Sequence, residues 1–167
     1  MGLKIDELRT SGPTARNYLW QCSCQSHGLD PIVNFRATTT NVPYPVPEKM
    51  EIAVRGYTIP EAGATTWNPI TYNVIENTTY EIQRKLWKWS TDEFDPETGV
   101  QVPNDASPMT NAANFMIFME NLNRTSEIDY TLIGVVLSGI TFGDPGADKS
   151  TALENTFEVS YAYAKQG

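Results

Sequence analysis

The sequence predicts a mainly β fold, an antiparallel β-sandwich or barrel with one flanking α-helix. Several short stretches alternate apolar and polar residues, which is the spacing of half-buried strands. Helical spacing follows in a single stretch that begins after Asn77. Strands with one helix favour an antiparallel sheet against which that helix packs. A chain of 167 residues can bury a core of its own, so we expect one domain over residues 1–167.

The sequence of residues 1–48 predicts an arm, a hairpin and an extended loop. Residues 1–15 form an N-terminal arm, because the Ser-Gly-Pro within it breaks any regular element. Tyr18–Cys24 alternates as a strand, and we expect Ile32–Ala37 to pair with it as a hairpin. Residues 38–48 contain three prolines within five residues, and proline cannot donate to a strand ladder. This segment is therefore predicted to be an extended loop.

The next segment, Glu48–Ile59, alternates as a strand with one apolar and one polar face. The apolar face holds Ile52 and Val54, and the polar face holds Glu51 and Arg55. Gly56 predicts a bulge or a turn within this segment. The Pro-Glu-Ala-Gly-Ala-Thr stretch that follows is expected to end the strand.

A further strand and the helix come next. The strand places three residues on one face, Ile70, Tyr72 and Val74. Thr78 and Glu81 have the spacing of a capping box, in which each side chain bonds a backbone N–H at the helix start. The apolar stripe of the helix, at i, i+4 and i+7, consists of Ile82, Leu86 and Trp89.

The last part of the chain predicts an acidic loop and three strands. Residues 91–110 hold five acidic residues, three prolines and no Lys or Arg, which is typical of an exposed loop. The three strands are Phe115–Met119, Tyr130–Phe142 and Thr156–Ala164. The final strand alternates cleanly, and its inward-facing residues are Phe157, Val159, Tyr161 and Tyr163.

Composition narrows the function classes. Twelve basic residues against twenty acidic ones leave a net charge of −8, which argues against a surface that grips nucleic acid. The same charge is compatible with a surface that nucleic acid slides past. No segment has the roughly 18 apolar residues of a membrane helix, so we expect synthesis in the cytoplasm and no membrane partner. Cys22 and Cys24, two residues apart on a strand, are expected to be reduced thiols.

The sequence offers no catalytic or metal-binding constellation. Its single histidine, His27, lies in a turn-prone stretch near Asp30, and no nucleophile motif accompanies the pair. Zinc spacings fail for want of ligands, and two acidic turns lack the spacing of a calcium loop. We therefore expect neither a cofactor nor an enzyme. One alternative is a monomeric β-sandwich that stacks sugars on its tryptophans, Trp67, Trp87 and Trp89.

Three stretches together resemble a known family. They are "RNYLWQC" in the first strand, "RKLWKW" in the strand–helix unit, and "LSGIT" followed by "TFEVSYAY" near the end. Over about Asn17 to Lys165, the chain resembles the tail-tube protein of contractile-tailed bacteriophages. That family is related to the inner tubes of phage-like bacteriocins and to the Hcp protein of type VI secretion.

The resemblance implies a structural role in the virion tail. Six copies would form a ring whose strands join into a shared inner β-barrel, and rings would stack into a tube through which DNA passes without specific binding. Expected partners are further copies of the chain and the sheath, baseplate, tape-measure and tail-terminator proteins. A tube of a type VI or bacteriocin system is the nearest alternative.

The resemblance also suggests where the contacts lie. The segment that would join neighbours in the ring supplies Glu51, Ile52, Val54, Arg55 and Tyr57. The loop that would bridge successive rings supplies Val42, Tyr44 and Val46. The helix face that would meet solvent or sheath supplies Arg84, Lys85 and Lys88. From their positions at strand segments, and not from the resemblance, Glu51 and Glu76 are the expected acids of the lumen.

Overall fold

The computed structural model of the protein describes residues 19–24, 29, 36–93, 95–100, 115–120, 123, 125–145 and 151–167. Across these residues the fold is mainly β, as predicted, with ten strands and one complete helix. The first five strands are β1 (Trp20–Cys24), β2 (Ala37–Thr40), β3 (Pro45–Val54), β4 (Tyr57–Trp67) and β5 (Ile70–Ile75). The helix α1 (Glu81–Glu93) precedes β6 (Phe115–Glu120), β7 (Ser126–Ile133), β8 (Val136–Thr141), β9 (Glu154–Ser160) and β10 (Tyr163–Gln166).

The strands form two four-stranded sheets and a separate two-stranded ribbon. The first sheet has the order β1-β6-β7-β10, the second has the order β2-β5-β9-β8, and β3 pairs with β4. All the pairings are antiparallel. The mainly antiparallel fold predicted from the alternating stretches is confirmed.

One buried cluster joins both sheets and the helix. The second sheet supplies residues that alternate along β5 and β9, and Tyr72 stacks on Phe157 with ring centroids 4.9 Å apart. The helix stripe Ile82, Leu86 and Trp89 is buried in the same cluster, as its spacing predicts. Full burial of one such apolar side chain contributes about 1.5–3 kcal/mol, so this shared core is what holds the layers together.

The chain crosses between the two sheets at two places that the sequence did not predict. Tyr130–Phe142 is not one strand, because Gly134, with a φ of +70°, separates β7 from β8. Thr156–Ala164 likewise divides before β10, where the N–H of Ala162 donates to the carbonyl of Ile133 over 2.8 Å. A Cβ on Gly134 would lie 3.1 Å from the Cβ of Ala162, so the two crossings pack against each other.

The second crossing changes which side chains face the core. Phe157, Val159 and Tyr161 are buried as predicted. After the crossing, Ala164 packs against the core and Tyr163 does not, so the inward placement of Tyr163 is wrong. Alternation is a property of one continuous strand, and the break after β9 resets it.

The described parts of the early strands pair with strands that come later in the chain. β1 pairs with β6, and Ala37 at the start of β2 pairs with Val74 of β5. Residues 1–15 and 32–35 lie outside the described residues. Cys22 and Cys24 are buried and form no disulfide, in agreement with the expected thiols.

The predicted proline-rich loop is in part a strand. β3 begins at Pro45, which faces Trp67, and Pro47 faces Thr65. A two-stranded ribbon tolerates these prolines, because each strand has one edge at which no N–H is needed. The loop is thereby shortened to residues 41–44.

The helix start uses a cap other than the predicted Thr78 and Glu81 pair. The Oδ1 of Asn77 accepts the N–H of Glu81 over 3.0 Å. The carboxylate of Glu76 accepts the N–H of Ile82 over 3.2 Å and that of Gln83 over 2.9 Å. These three donors have no partner inside the helix, so the two side chains satisfy its whole first turn.

The helix also runs further than predicted. It ends at Glu93, so the acidic segment 91–110 is helical at its beginning. Within Asp95–Val100 the hydroxyl of Thr98 and the N–H of Glu97 both donate to the carboxylate of Asp95, which lowers the pKa of Asp95. Residues 101–110 lie outside the described residues. In the part of the chain that is described, no helix is long and apolar enough to cross a membrane.

Candidate functional site

The ribbon of β3 and β4 is the most exposed element of the described structure. Every residue of β3 is exposed, and β4 is exposed except for two half-buried residues. The strands turn at Arg55 and Gly56, whose φ angles of +48° and +85° suit a two-residue hairpin turn. Gly56 therefore marks a turn, one of the two outcomes that the sequence predicted.

The register of the ribbon separates an apolar face from a polar one. Ile52 faces Ile59 and Val54 faces Tyr57, and these side chains share one face with Met50, whose own partner Glu61 lies at the edge of the apolar surface. Each of them is exposed, from 37% at Ile52 to 78% at Tyr57. The opposite face carries an ion pair of 2.6 Å between Lys49 and Glu51. A contiguous apolar surface of this kind is characteristic of an interaction site.

The expected ring-joining residues do not all share one face. Ile52, Val54 and Tyr57 lie together on the apolar face, whereas Glu51 lies on the polar face and Arg55 forms the turn. The residues expected to bridge rings are all exposed at the root of the ribbon, and they are Val42, Tyr44 and Val46. Val46 belongs to β3 and not to a loop.

The second candidate surface is the outer face of the sheet β2-β5-β9-β8. Its four strands contain no Lys, Arg or His. The residues opposite the core are mostly small and polar. Glu154 and Glu158 are the carboxylates of this face, so its charge is negative.

Side chains on this outer face hydrogen-bond to one another across the strands. Asn73 donates to the hydroxyl of Thr39 over 2.7 Å and accepts from the hydroxyl of Thr156 over 2.8 Å. Thr38 donates to Glu154 over 2.7 Å, and Ser138 donates to Glu158 over 3.0 Å. These hydroxyl and amide donors are already used within the sheet, which leaves carboxylate oxygens as the charged groups toward solvent. We call this surface the acidic sheet face.

Glu76 is not a surface acid, and its expected place in a lumen is wrong. It is 8% exposed, and its oxygens bond the first turn of α1. The amide of Asn155 donates to the same carboxylate over 2.6 Å. A side chain used in this way cannot line an open surface.

The helix presents Arg84 and Lys88 to solvent. Lys85 is half-buried and forms an ion pair of 3.0 Å with Glu81, four residues earlier. The hydrogen bond from Lys85 is the main reason that the pKa of Glu81 is lowered. Arg84 and Lys88 are therefore exposed, as expected for the outward side of the helix, whereas Lys85 is paired with Glu81.

The tryptophans do not form a common sugar-stacking platform. Trp89 is 1% exposed, whereas Trp87 is 62% exposed on the same helix. Trp67 lies beside Tyr161 with ring centroids 6.0 Å apart and is half-buried. The binding module that needs all three rings at one surface has no support from this arrangement.

No metal centre is visible among the residues that the structure describes, where no three His, Cys, Asp or Glu residues cluster. His27 and Asp30 lie outside those residues.

The ribbon as a whole was predictable from the sequence, because a Gly-containing turn between two alternating stretches is a hairpin signal. Pro60 and Gly63 in β4 concealed it, since both are typical of loops.

No protein-family model matches the chain, and no curated protein is significantly similar to it in sequence. Solved structures are similar in fold. A chain in the cryo-EM structure of the anti-feeding prophage cap, the tube-terminating cap, has a TM-score of 0.67 and 10% identity over 93% of this chain and 92% of that one. A chain in the sheath/tube terminator of the extracellular contractile injection system PVC has a TM-score of 0.64 and 10% identity, over 93% and 98%.

A chain in the PVC sheath-tube complex in its extended state has a TM-score of 0.61 and 9% identity, over 99% of both chains. At such identities the likeness concerns the fold. The chain has the fold of proteins found in contractile injection assemblies, and the resemblance drawn from its sequence is confirmed at that level.

Proposed function

We propose that this protein is the tube subunit of a contractile tail, a structural and not a catalytic component. The observation that supports this proposal best is the exposed ribbon with its uncovered apolar face, in a chain that has the fold of contractile-assembly proteins. An exposed apolar face of this kind promotes aggregation of a monomer, whereas in an assembly it is buried between subunits and stabilises their contact. We propose that this face is buried against further copies of the same chain.

The ribbon is the proposed joint between neighbouring subunits. Ile52, Val54 and Tyr57 would be buried against the next copy, and Arg55 at the turn would reach it first. Val42, Tyr44 and Val46 at the root are exposed where a subunit of an adjacent ring could contact them. Burying a Val or Ile side chain contributes about 1.5–3 kcal/mol, and a ring gains this at every junction.

The sheet β2-β5-β9-β8 supports ring closure. Its outer strands β2 and β8 each have an edge that pairs with no other described strand. Because four antiparallel strands alternate in direction, β2 and β8 run in opposite directions. The β8 edge of one copy can therefore meet the β2 edge of the next in antiparallel fashion, and six copies would close a common inner barrel.

The acidic sheet face is the proposed wall of the lumen. It lies opposite the core, its strands contain no Lys, Arg or His, and the side chains of Thr38, Asn73, Ser138 and Thr156 donate within the sheet. DNA would pass such a wall without binding, because like charges repel most strongly at low salt. Tight DNA binding by assembled tubes in a low-salt gel shift would contradict this part of the proposal. Glu51, on the polar face of the ribbon, is a further acid that could face the lumen.

The helix is the proposed outer surface. Arg84, Lys88 and the exposed ring of Trp87 would meet the sheath, and the ends of the tube would meet baseplate, tape-measure and tail-terminator proteins. The finer proposal is a bacteriophage tail tube, made in the host cytoplasm and carried in the virion. A type VI or bacteriocin tube is the alternative, and genes for sheath and tape-measure proteins beside this one, against genes for a secretion ATPase, would separate the two.

Electron microscopy of the purified protein tests the proposal directly. We expect rings of six copies or stacked tubes, with ultracentrifugation showing mass above that of one chain. A monodisperse monomer at every concentration that also binds carbohydrate saturably would instead support the sugar-binding alternative.

A further inference from the structure

The root of the ribbon has little backbone pairing, and the N–H of Asn68 donates to the carbonyl of Tyr44 over a long 3.4 Å. The chain enters the ribbon through residues 41–44 and leaves it through Asn68 and Pro69. Pro43 and Pro69 have no N–H, so a regular ladder cannot continue through them. A joint held by this backbone bond alone would let the ribbon swing relative to the body.

Two asparagine side chains replace the missing ladder. The Oδ1 of Asn68 accepts the N–H of Tyr44 over 2.7 Å, and its Nδ2 donates to the carbonyls of Val42 and Pro69, each over 3.3 Å. Asn41 donates to the carbonyl of Pro69 over 2.8 Å and accepts the N–H of Thr71 over 2.7 Å. Both strands of the root are therefore held by side-chain amides.

Asn68 also ties the root to the body of the protein. The hydroxyl of Tyr161, which follows β9, donates to the Oδ1 of Asn68 over 3.3 Å. Asn68 and Tyr161 are both buried, and the Tyr161 ring lies beside that of Trp67 at the end of β4. Burial raises the pKa of Tyr161 to about 12, so its hydroxyl stays protonated and able to donate at neutral pH.

We propose that Asn68 is a positioning residue that fixes the direction in which the ribbon leaves the body, so that its apolar face is already oriented toward a neighbouring copy. The docking half of this inference rests on the proposed function, whereas the orienting half does not. Asn41 and Trp67, which packs against the core, also hold the root, but Asn68 is the residue whose side chain bonds both strands of the root and receives the hydroxyl of Tyr161. A pre-oriented element loses less conformational freedom on docking, which strengthens assembly.

Fluorescence anisotropy tests the orienting half. A dye attached to Thr58→Cys sits near the tip, on the polar face of the ribbon, and Cys22 and Cys24 are buried. The parent protein treated with the same reagent measures background labelling. We expect the dye to tumble with the body, and we expect Asn68→Ala to add a fast component of motion.

Assembly tests the docking half. We expect Asn68→Ala to raise the protein concentration needed for tubes by about tenfold, since ordering a flexible element at an interface weakens association by that order. The matched control is Thr66→Val, which removes the hydrogen bond from Thr66 to the carbonyl of Val46 and leaves the bonds of Asn41 and Asn68 intact. The control should change neither readout. Tyr161→Phe, which removes one donor and leaves no cavity, should shift both readouts in the direction of Asn68→Ala.

The outcomes separate the two ideas. Unchanged anisotropy in both Asn68→Ala and Tyr161→Phe would overturn the positioning role. A fast component with undiminished assembly would overturn the link from orientation to docking. If the parent protein forms no tubes under any condition, the proposed function fails, and the anisotropy still decides whether Asn68 orients the ribbon. Should Asn68→Ala unfold, Tyr161→Phe alone decides each point.

Discussion

Glu76 and Asn155 are joined by a hydrogen bond of 2.6 Å between the amide Nδ2 and the carboxylate Oε2, in a site where both residues are buried. The same carboxylate caps the first turn of α1. The Oδ1 of Asn155 accepts the N–H of Gly143 over 3.1 Å. The pair therefore fastens the helix start to β9 and to the segment after β8.

Replacement of Glu76 by Gln is expected to destabilise the protein by about 1–3 kcal/mol, because an amide cannot accept at both of its terminal atoms. At least one buried donor among the helix N–H groups or Asn155 then faces another N–H. Urea unfolding followed by circular dichroism measures the change. The control Glu97→Gln, at an exposed position, should stay within about 0.5 kcal/mol. Equal effects of the two changes would mean that the Glu76 cap stabilises the protein no more than an exposed carboxylate does.

The two tryptophans of the helix allow a matched comparison. Trp89→Ala should cost about 3–5 kcal/mol, because Trp89 is fully buried in the core. Trp87→Ala and Lys88→Ala, at exposed positions two and one residues before it, should each stay within about 0.5 kcal/mol. Thermal unfolding of the three variants is the measurement. Similar small shifts in all of them would show that the helix is not docked on the core.

The features that the sequence predicted well are local ones. The stripe of Ile82, Leu86 and Trp89 and the alternation of Ile70, Tyr72 and Val74 follow from the geometry of one helix and one strand. The crossing at Gly134 was missed because apolar residues continue on both sides of it and only the tertiary fold turns the chain there. The cap was missed for a similar reason, since Glu76 lies six residues before Ile82 and reaches it only through the fold.

The candidate surfaces were predictable in part. Alternation predicts the apolar face of Glu48–Ile59. It does not predict the pairing partner β4, because Pro60 and Gly63 are typical of loops. The acidic sheet face needs the register of four strands that are distant in sequence. No pattern along the chain brings Thr38 beside Glu154.

Alkaline pH provides a test of Tyr161. Burial raises its pKa from the usual 10.0 to about 12, so the folded state favours the neutral phenol. The resulting stability is fully present below pH 10 and is lost as the pH rises to about 12. We expect the urea midpoint of the parent to fall more steeply across this interval than that of Tyr161→Phe. Tyr72, whose pKa is raised chiefly by burial, is present in both proteins, and only its smaller electrostatic interaction with Tyr161 differs between them. Parallel curves for the two proteins would contradict the assignment.

Placing a carboxylate on one face of the ribbon and then on the other tests whether the apolar face docks on a neighbouring subunit. Val54→Asp places a carboxylate on the face that would dock, at a residue that is 44% exposed in one subunit. We expect a folded, soluble monomer with near-native circular dichroism and no tubes, because docking would bury an unpaired charge. The control Ala53→Asp puts the same charge on the polar face and should assemble.

Three results would argue against this interpretation of the ribbon. If Val54→Asp unfolds, Val54 belongs to the core of its own subunit. If it polymerises normally, the joint between subunits lies elsewhere. If Ala53→Asp also fails to assemble, both faces of the ribbon are buried in the tube.

The last prediction concerns which surface faces the lumen. Thr71 lies opposite Glu158 on the acidic sheet face, and cysteine is close to threonine in size. In tubes, Thr71→Cys should react with a small maleimide, because a lumen is filled with water, and should resist a maleimide on a long polyethylene glycol chain that cannot enter. Lys88→Cys on the helix should react with both reagents if the helix is outside. Protection of Thr71→Cys from both reagents would mean that the acidic sheet face is buried between subunits, and reaction with both would place it on the outside of the tube. Unassembled protein provides the reference, since both positions should then react with either reagent.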